Sequence, residues 1–128
     1  AGRIELELVP QGTLAERIRA GGAGIGAFFT PTGAGTLFAQ GKETRVIEGR
    51  EQVLEHALKA DMALVRCWRA DRWGNLVYRK TARSFGAVMA TAATVVAVEA
   101  AQIVPLGALD PETIVTPGVT VARVVEAP

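Results

Sequence analysis

Apolar and polar residues alternate strictly near the start of the chain. In Ile4-Glu5-Leu6-Glu7-Leu8-Val9, the residues Ile4, Leu6 and Leu8 fall on one face, the period-two mark of a half-buried strand. Pro10 ends that strand, because proline has no N–H for a ladder. Then the period changes. Thr13-Leu14-Ala15-Glu16 has the form of a capping box: the Thr13 hydroxyl accepts from the N–H of Glu16, and the Glu16 carboxylate accepts from that of Thr13. A short helix over residues 14–20 follows and stops at Gly21-Gly22, where a left-handed cap costs glycine little. Pro10-Gln11-Gly12 is therefore a strand-to-helix turn, the place where open α/β sheets carry their sites.

Residues 23–30 read as a glycine-diluted strand, Pro31-Thr32-Gly33-Ala34-Gly35-Thr36 as a tight loop, and Gly41-Lys42-Glu43 as a turn. Short strands are expected at 45–47 and 52–54, joined around Gly49, with one helical turn at 55–60. Residues 61–68 form a buried strand, Asp71-Arg72-Trp73-Gly74-Asn75 a turn, and 76–80 the returning strand. The stretch 61–80 is thus a hairpin. Residues 84–93 are small, apolar and poor in β-formers, which predicts a helix capped by Ser84. Residues 94–99 are β-branched enough for a buried strand. A proline-punctuated loop at 106–118 and a last strand at 119–125 complete the pattern. There is no internal repeat and no low-complexity linker. The reading is one α/β domain over residues 1–128.

Composition narrows the class. A chain of 128 residues is too short for two ordinary domains. With 49% hydrophobic residues, 21% charged and a net charge of +1, it is no disordered acidic or basic tail. Glycine is abundant and aromatics are 5%, so Val, Ala, Leu and Ile must build the core. The longest apolar run, 92–98, is interrupted by Thr94 and ended by Glu99, far short of the ~20 residues of a membrane helix. No membrane partner is expected. The one cysteine, Cys67, excludes an internal disulfide and a multi-cysteine zinc site and suits a reducing, cytoplasmic compartment. The first residues carry neither a methionine nor a signal-peptide pattern, and they read as the interior of a longer sequence.

Several motifs offer chemistry and most lose it on inspection. Gly22-Ala23-Gly24-Ile25-Gly26-Ala27 fits a dinucleotide pattern, but it follows a helix and precedes a strand. That order is the reverse of what a helix N-terminus needs to meet a pyrophosphate. Gly35 through Gly41-Lys42 is one residue too long for a phosphate loop, and Glu43 stands where a hydroxyl belongs. Arg66, Arg69, Arg72, Arg79, Lys80 and Arg83 crowd one stretch against a single Asp71, with Trp68, Trp73 and Tyr78 interleaved. The near-neutral whole argues against nucleic acid, leaving a solvated or subunit-facing hairpin, or an anionic small molecule. His56 is the only histidine and lacks a ligand set with Glu51 and Glu55, so no metal is expected. Cys67, in an apolar strand, reads as a buried inert thiol. Glu5 and Glu7 read as a solvated strand edge. Gln11 is the exception: a primary amide before a helix start can donate to an anionic oxygen, aided by unpaired N–H groups, the alternative being a turn glutamine that bonds its own backbone.

The segment from Val9-Pro-Gln-Gly-Thr-Leu-Ala-Glu-Arg to Gly26 resembles the hallmark of family I coenzyme A transferases, in the A-type component of the 3-oxoacid and 3-oxoadipate enzymes. The resemblance continues through Phe29-Thr-Pro-Thr-Gly-Ala-Gly-Thr36, Glu48-Gly-Arg50, Ala60-Asp61, residues 70–83, Met89-Ala-Thr-Ala-Ala93 and Leu109-Asp-Pro-Glu112. It implies a CoA-transferase-like α/β fold, a mixed and mostly parallel sheet with flanking helices. It also implies a ping-pong reaction through an acyl anhydride and a glutamyl-CoA thioester. By that resemblance Gln11 is the oxyanion donor, and Phe29, Thr30, Thr32, Gly33 and Gly35 line the acyl pocket near the substrate carboxylate. Coenzyme A is then substrate rather than cofactor, moving between an acyl-CoA such as succinyl-CoA and a 3-oxoacid.

The family's nucleophilic glutamate lies in a Glu-Asn-Gly segment of the B subunit, and no Glu here is followed by Asn-Gly. The chain is therefore expected to be inactive alone and to act in a heterodimer or heterotetramer with a B subunit. The family's strands ahead of Ile4 are absent, so the match is to the C-terminal portion of an A subunit. Gly26, Phe29, Ser84 and Gly86 depart from the family's common residues, and Phe29 removes a hydroxyl from the pocket. The alternatives are a non-catalytic module that holds a partner subunit, and an acyl-CoA hydrolase.

Overall fold

A computed structural model describes residues 2–4 and 6–128. Helix α1 (Gln11–Ala23) starts directly after Pro10, which takes the cap position at φ −56°. The Pro10 carbonyl accepts from the Leu14 N–H at 2.9 Å. The proline ring presets this φ, and the helix starts three residues before the expected 14. The capping box therefore does not form. Thr13 lies inside the first turn, buried, its hydroxyl without a partner, and Glu16 accepts from Arg19 Nε at 2.9 Å instead. The helix also runs through Gly21 and Gly22 and ends at Gly24, with φ +75°. A Cβ on Gly21 would collide with the Leu58 carbonyl, and one on Gly22 with the Thr91 side chain. These glycines permit close approach; Gly24 supplies the left-handed cap.

The smaller sheet holds β1 (Ala27–Thr30), β2 (Thr44–Ile47) and β3 (Arg50–His56), antiparallel throughout in the order β1-β3-β2. Glu48 and Gly49, at φ 51° and 76°, make the two-residue turn between β2 and β3. Strand β3 continues to His56 because Ala27 pairs with it. The helical turn expected at 55–60 is replaced by strand to His56 and irregular chain at 57–59. At the other end, α1 takes Ala23, so the strand expected over 23–30 shrinks to β1.

The larger sheet holds β4 (Ala60–Asp71), β5 (Leu76–Val77), β6 (Ala93–Val104) and β7 (Arg123–Glu126), in the order β5-β4-β6-β7. Its β4–β6 and β6–β7 pairs are parallel and its β4–β5 pair antiparallel. The fold is thus mixed α/β, with parallel pairing confined to this sheet. The 61–80 hairpin forms, but its pairing ends at Val77, and Lys80 turns the chain at φ +56°. Helix α2 (Ala82–Met89) follows Thr81, which makes no side-chain cap bond, and Ser84 sits within it rather than at its start. Ala93 already pairs with Ala60, which ends the helix early. Residues Gly118–Thr120 form a 3₁₀ turn, so the last strand begins at Arg123 instead of 119.

The core lies between α2 and one face of β4 and β6. Ala63, Val65, Cys67, Val96, Val98 and Ala100 alternate inward from the strands, joined by Leu76, Tyr78 and Ala90. Small aliphatic residues dominate, as the composition requires. On the opposite face Met62, Leu64 and Val125 are exposed. The run 4–9 is not strand in its described residues, and Ile4, Leu6 and Leu8 are exposed. A strand exists only where its N–H and C=O groups meet a partner ladder, and no described strand pairs with this run. Glu7 pairs instead with Arg17 at 2.9 Å, while Glu5 lies outside the described residues. Among the described residues, no helix is long and apolar enough to cross a membrane.

Candidate active site

Gln11 is the first residue of α1 and is exposed. The first intrahelical bond is donated by Leu14, so the N–H groups of Gln11, Gly12 and Thr13 have no helical acceptor. No acidic residue occupies the first turn, which leaves the positive end of the helix uncompensated. A Cβ on Gly12 would meet nothing within 4 Å. The amide of Gln11 and the open helix end therefore face accessible space.

The second group of candidates forms one continuous loop. Phe29 and Thr30 end β1, half-buried, and Thr32, Gly33 and Gly35 follow in two successive turns. The Thr30 hydroxyl accepts from the Thr32 N–H at 3.2 Å. Ala34 donates to the Pro31 carbonyl and Thr36 to that of Gly33, each at 3.2 Å. Gly33 and Gly35 adopt φ +85° and +70°, where an L side chain is strained. Their own N–H groups have no acceptor among the described hydrogen bonds. Arg45 covers the Phe29 ring, its Cζ 5.0 Å from the centroid, so one face of that ring is already occupied.

The two groups are joined through the packing of α1 on β1, but no hydrogen bond links Gln11 to the loop among the described residues. None of the five described cavities is lined by Gln11, Phe29, Thr30, Thr32, Gly33 or Gly35.

Residues 1–127 match the family described as coenzyme A transferase. The chain belongs to this family. The A subunit of the 3-oxoadipate CoA-transferase of Pseudomonas putida is 63% identical to this chain over 125 residues, 98% of the chain and 54% of the relative. The A subunit of the succinyl-CoA:3-ketoacid coenzyme A transferase of Xanthomonas campestris pv. campestris (strain B100) is 58% identical, over 98% of the chain and 52% of the relative. An acyl-CoA transferase from Escherichia coli O157:H7, solved in a thioester complex with CoA, superposes with a TM-score of 0.82 at 22% identity. That alignment covers 94% of this chain and 27% of the other, a likeness of fold. The chain spans about half the length of the curated relatives it matches.

Two features of this chain escaped the sequence. Lys42 and Glu55 form a largely buried ion pair beside β1. The alternation of Val53 and Glu55, carried two residues further along β3, was the signal for it. Arg17 is a hub: its Nε donates to the His56 carbonyl and its Nη1 to Glu7, each at 2.9 Å. Cys67 is free and buried, as its apolar strand implied, and burial pushes its thiol up to about 11. His56 is exposed, and no cluster of metal-ligating side chains occurs among the described residues.

Proposed function

We propose that the chain forms part of the A subunit of a CoA-transferase that moves CoA between an acyl-CoA, such as succinyl-CoA, and a 3-oxoacid. The observation that carries this reading is Gln11 at the open, uncompensated start of α1 in a chain of this family. Attack on the thioester carbonyl carbon comes from a glutamate of a B subunit. The carbonyl oxygen takes up the electron pair, and the Gln11 amide donates to it. Collapse expels the CoA thiolate and leaves an acyl–glutamyl anhydride. The thiolate then attacks the glutamyl carbonyl, releasing the first carboxylate and forming the glutamyl-CoA thioester. A second carboxylate runs the same steps in reverse and leaves as its CoA ester.

The unbonded N–H groups of Gly33 and Gly35, with Thr30 and Thr32, would hold the carboxylate of the oxoacid, and Phe29 would wall the acyl group. The names of the relatives, which are A subunits, support a B-subunit partner in a heterodimer or heterotetramer. A cytoplasmic setting fits the one free, buried cysteine.

Turnover of the chain reconstituted with a B subunit tests this. Gln11→Ala should lower kcat by roughly 10²-fold or more, the usual effect of removing one oxyanion donor. Unchanged turnover removes Gln11 from the mechanism. Release of free CoA without an acceptor acid would favour hydrolysis, and copurification without transfer would favour a purely assembling role.

A further inference from the structure

The basic and aromatic stretch from Arg66 to Arg83 has no part in the reaction above, and the fold gathers it around one cavity. Strands β4 and β5 pair only at Arg69↔Val77 and Ala70↔Leu76. Beyond Val77 the chain leaves the edge of β4, with Lys80 held at φ +56°. Left-handed backbone at a lysine is a conformation that the surroundings must enforce, and such positions gather at ligand sites. The departure opens a cavity of about 460 Å³ between Arg66, Cys67 and Trp68 on one side and Arg79, Lys80 and Thr81 on the other. That volume lies within the range of small-molecule sites.

The lining cations Arg79 and Lys80 carry no ion pair among the described residues, and Arg69, itself outside the lining, stacks on the Trp68 that walls the cavity. The Cζ of Arg69 lies 4.2 Å from the centroid of the Trp68 ring, and that of Arg79 lies 5.4 Å from the same centroid. Two guanidinium groups thus share one indole. The Nε of Arg69 is buried without a hydrogen-bond partner. Of the nearby carboxylates, one neutralises the lining Arg66 and one closes its own turn. Glu99 pairs with Arg66 at 3.2 Å. Asp71 accepts from the N–H groups of Trp73 and Asn75 and from Asn75 Nδ2, closing its own turn. Among the described residues, no carboxylate pairs with Arg69, Arg79, Lys80 or Arg83. Like charges held together by packing favour whatever anion enters between them. A guanidinium fork beside an ammonium group suits the several oxygens of a phosphate.

We propose that the cavity between Trp68 and the Arg79–Lys80 strap is a binding site for a small phosphate-bearing molecule. It goes beyond the transfer reaction, because Gln11 and the loop at 29–35 line no part of it. A chain of net charge +1 favours a compact anion over a nucleic-acid strand.

The full chain carrying Trp73→Phe leaves Trp68 as the only tryptophan, and Trp73 is exposed. Its fluorescence is titrated at constant ionic strength with inorganic phosphate, ADP and CoA. A saturable change with at least one probe below about 10 mM is expected. Phosphate alone saturating as tightly as ADP or CoA identifies a free-phosphate site. ADP binding tenfold tighter than phosphate identifies a phosphorylated ligand, whereas CoA binding tenfold tighter than ADP makes the cavity part of the transfer reaction's own substrate site and overturns the proposal. Arg79→Gln and Lys80→Gln, both exposed positions, should each weaken binding about tenfold. Arg79→Lys should fall between Arg79→Gln and the parent. No saturable change with any probe overturns the proposal, as does equal binding by the Gln variants. A single-stranded oligonucleotide binding more tightly than ADP, with a steep salt dependence, overturns it too.

Discussion

Lys42 Nζ and Glu55 Oε1 lie 2.7 Å apart, with the Glu55 side chain 4% exposed and that of Lys42 27% exposed. The pair ties the turn after the candidate acyl loop to β3, directly across from Phe28 on β1. Removing Lys42 strands a buried carboxylate. Lys42→Met should destabilise the chain by about 2 kcal/mol, below the 3–5 kcal/mol of a fully buried pair because the lysine retains solvent contact. Combining it with Glu55→Leu should recover most of the loss. Urea unfolding of the two variants checks this, and a double variant less stable than Lys42→Met alone would count against it.

Stability should fall as pH rises past 9. Burial raises the Cys67 thiol from its ordinary 9.0 to about 11, so between these values the unfolded chain has released a proton that the folded chain keeps. The stabilising contribution is whole below pH 9 and fades towards 11, a loss on the order of 2–3 kcal/mol. Burial also pushes Tyr78 up; its hydrogen bond to Thr116 acts the other way, and Cys67 adds a smaller upward push. Melting curves for the parent and Cys67→Ala from pH 8 to about 11 should converge as pH rises. The same burial predicts slow labelling of Cys67 by thiol reagents in the native chain.

The Tyr78 hydroxyl and Thr116 Oγ1 meet at 2.7 Å, both side chains buried. This bond fastens the loop before β7 onto the hairpin. Tyr78→Phe leaves the Thr116 hydroxyl unsatisfied and should cost about 1–2 kcal/mol. The Tm should drop by roughly 3–10 °C in a domain of this size. Pairing it with Thr116→Val should restore part of the loss.

Two helical glycines should respond oppositely to alanine. Helix propensity favours each change by up to about 1 kcal/mol. Gly12 has open space around its Cα, so Gly12→Ala should be neutral or stabilising. Gly21 abuts the Leu58 backbone, so Gly21→Ala should destabilise by about 2 kcal/mol despite the propensity. Thermal unfolding of both variants decides.

Elements whose cause is local were legible. Asp71 closes the turn that its Asp-x-x-x-Asn spacing implies, accepting from the Trp73 and Asn75 N–H groups at 3.0 Å. Gly49 sits in the predicted hairpin turn, and the loop after Thr30 forms the predicted tight bend. Misreadings fell where two local signals competed. Thr13 looked like a cap because Glu16 follows it, yet Pro10 starts the helix earlier and turns Thr13 inward. Glu55 was expected to open a helical turn, yet strand β3 runs through it, and Lys42, distant in sequence, allows its burial. The resemblance alone assigns Gln11 and the loop at 29–35 to one site; neither alternation nor spacing says how far apart they stand.

Residue order alone determined the coenzyme A transferase family, the mixed α/β class and the aliphatic core. These depend on side-chain periodicity, on proline and glycine geometry and on a match along nearly the whole chain. Tertiary structure decided the rest: that Gly21 and Gly22 are contact points, that β3 reaches His56, and that Arg69 and Arg79 share one indole. Such outcomes depend on partners far away in the chain. A ladder, an ion pair or a close backbone approach has an energy only when both halves are present, and folding alone brings the halves together.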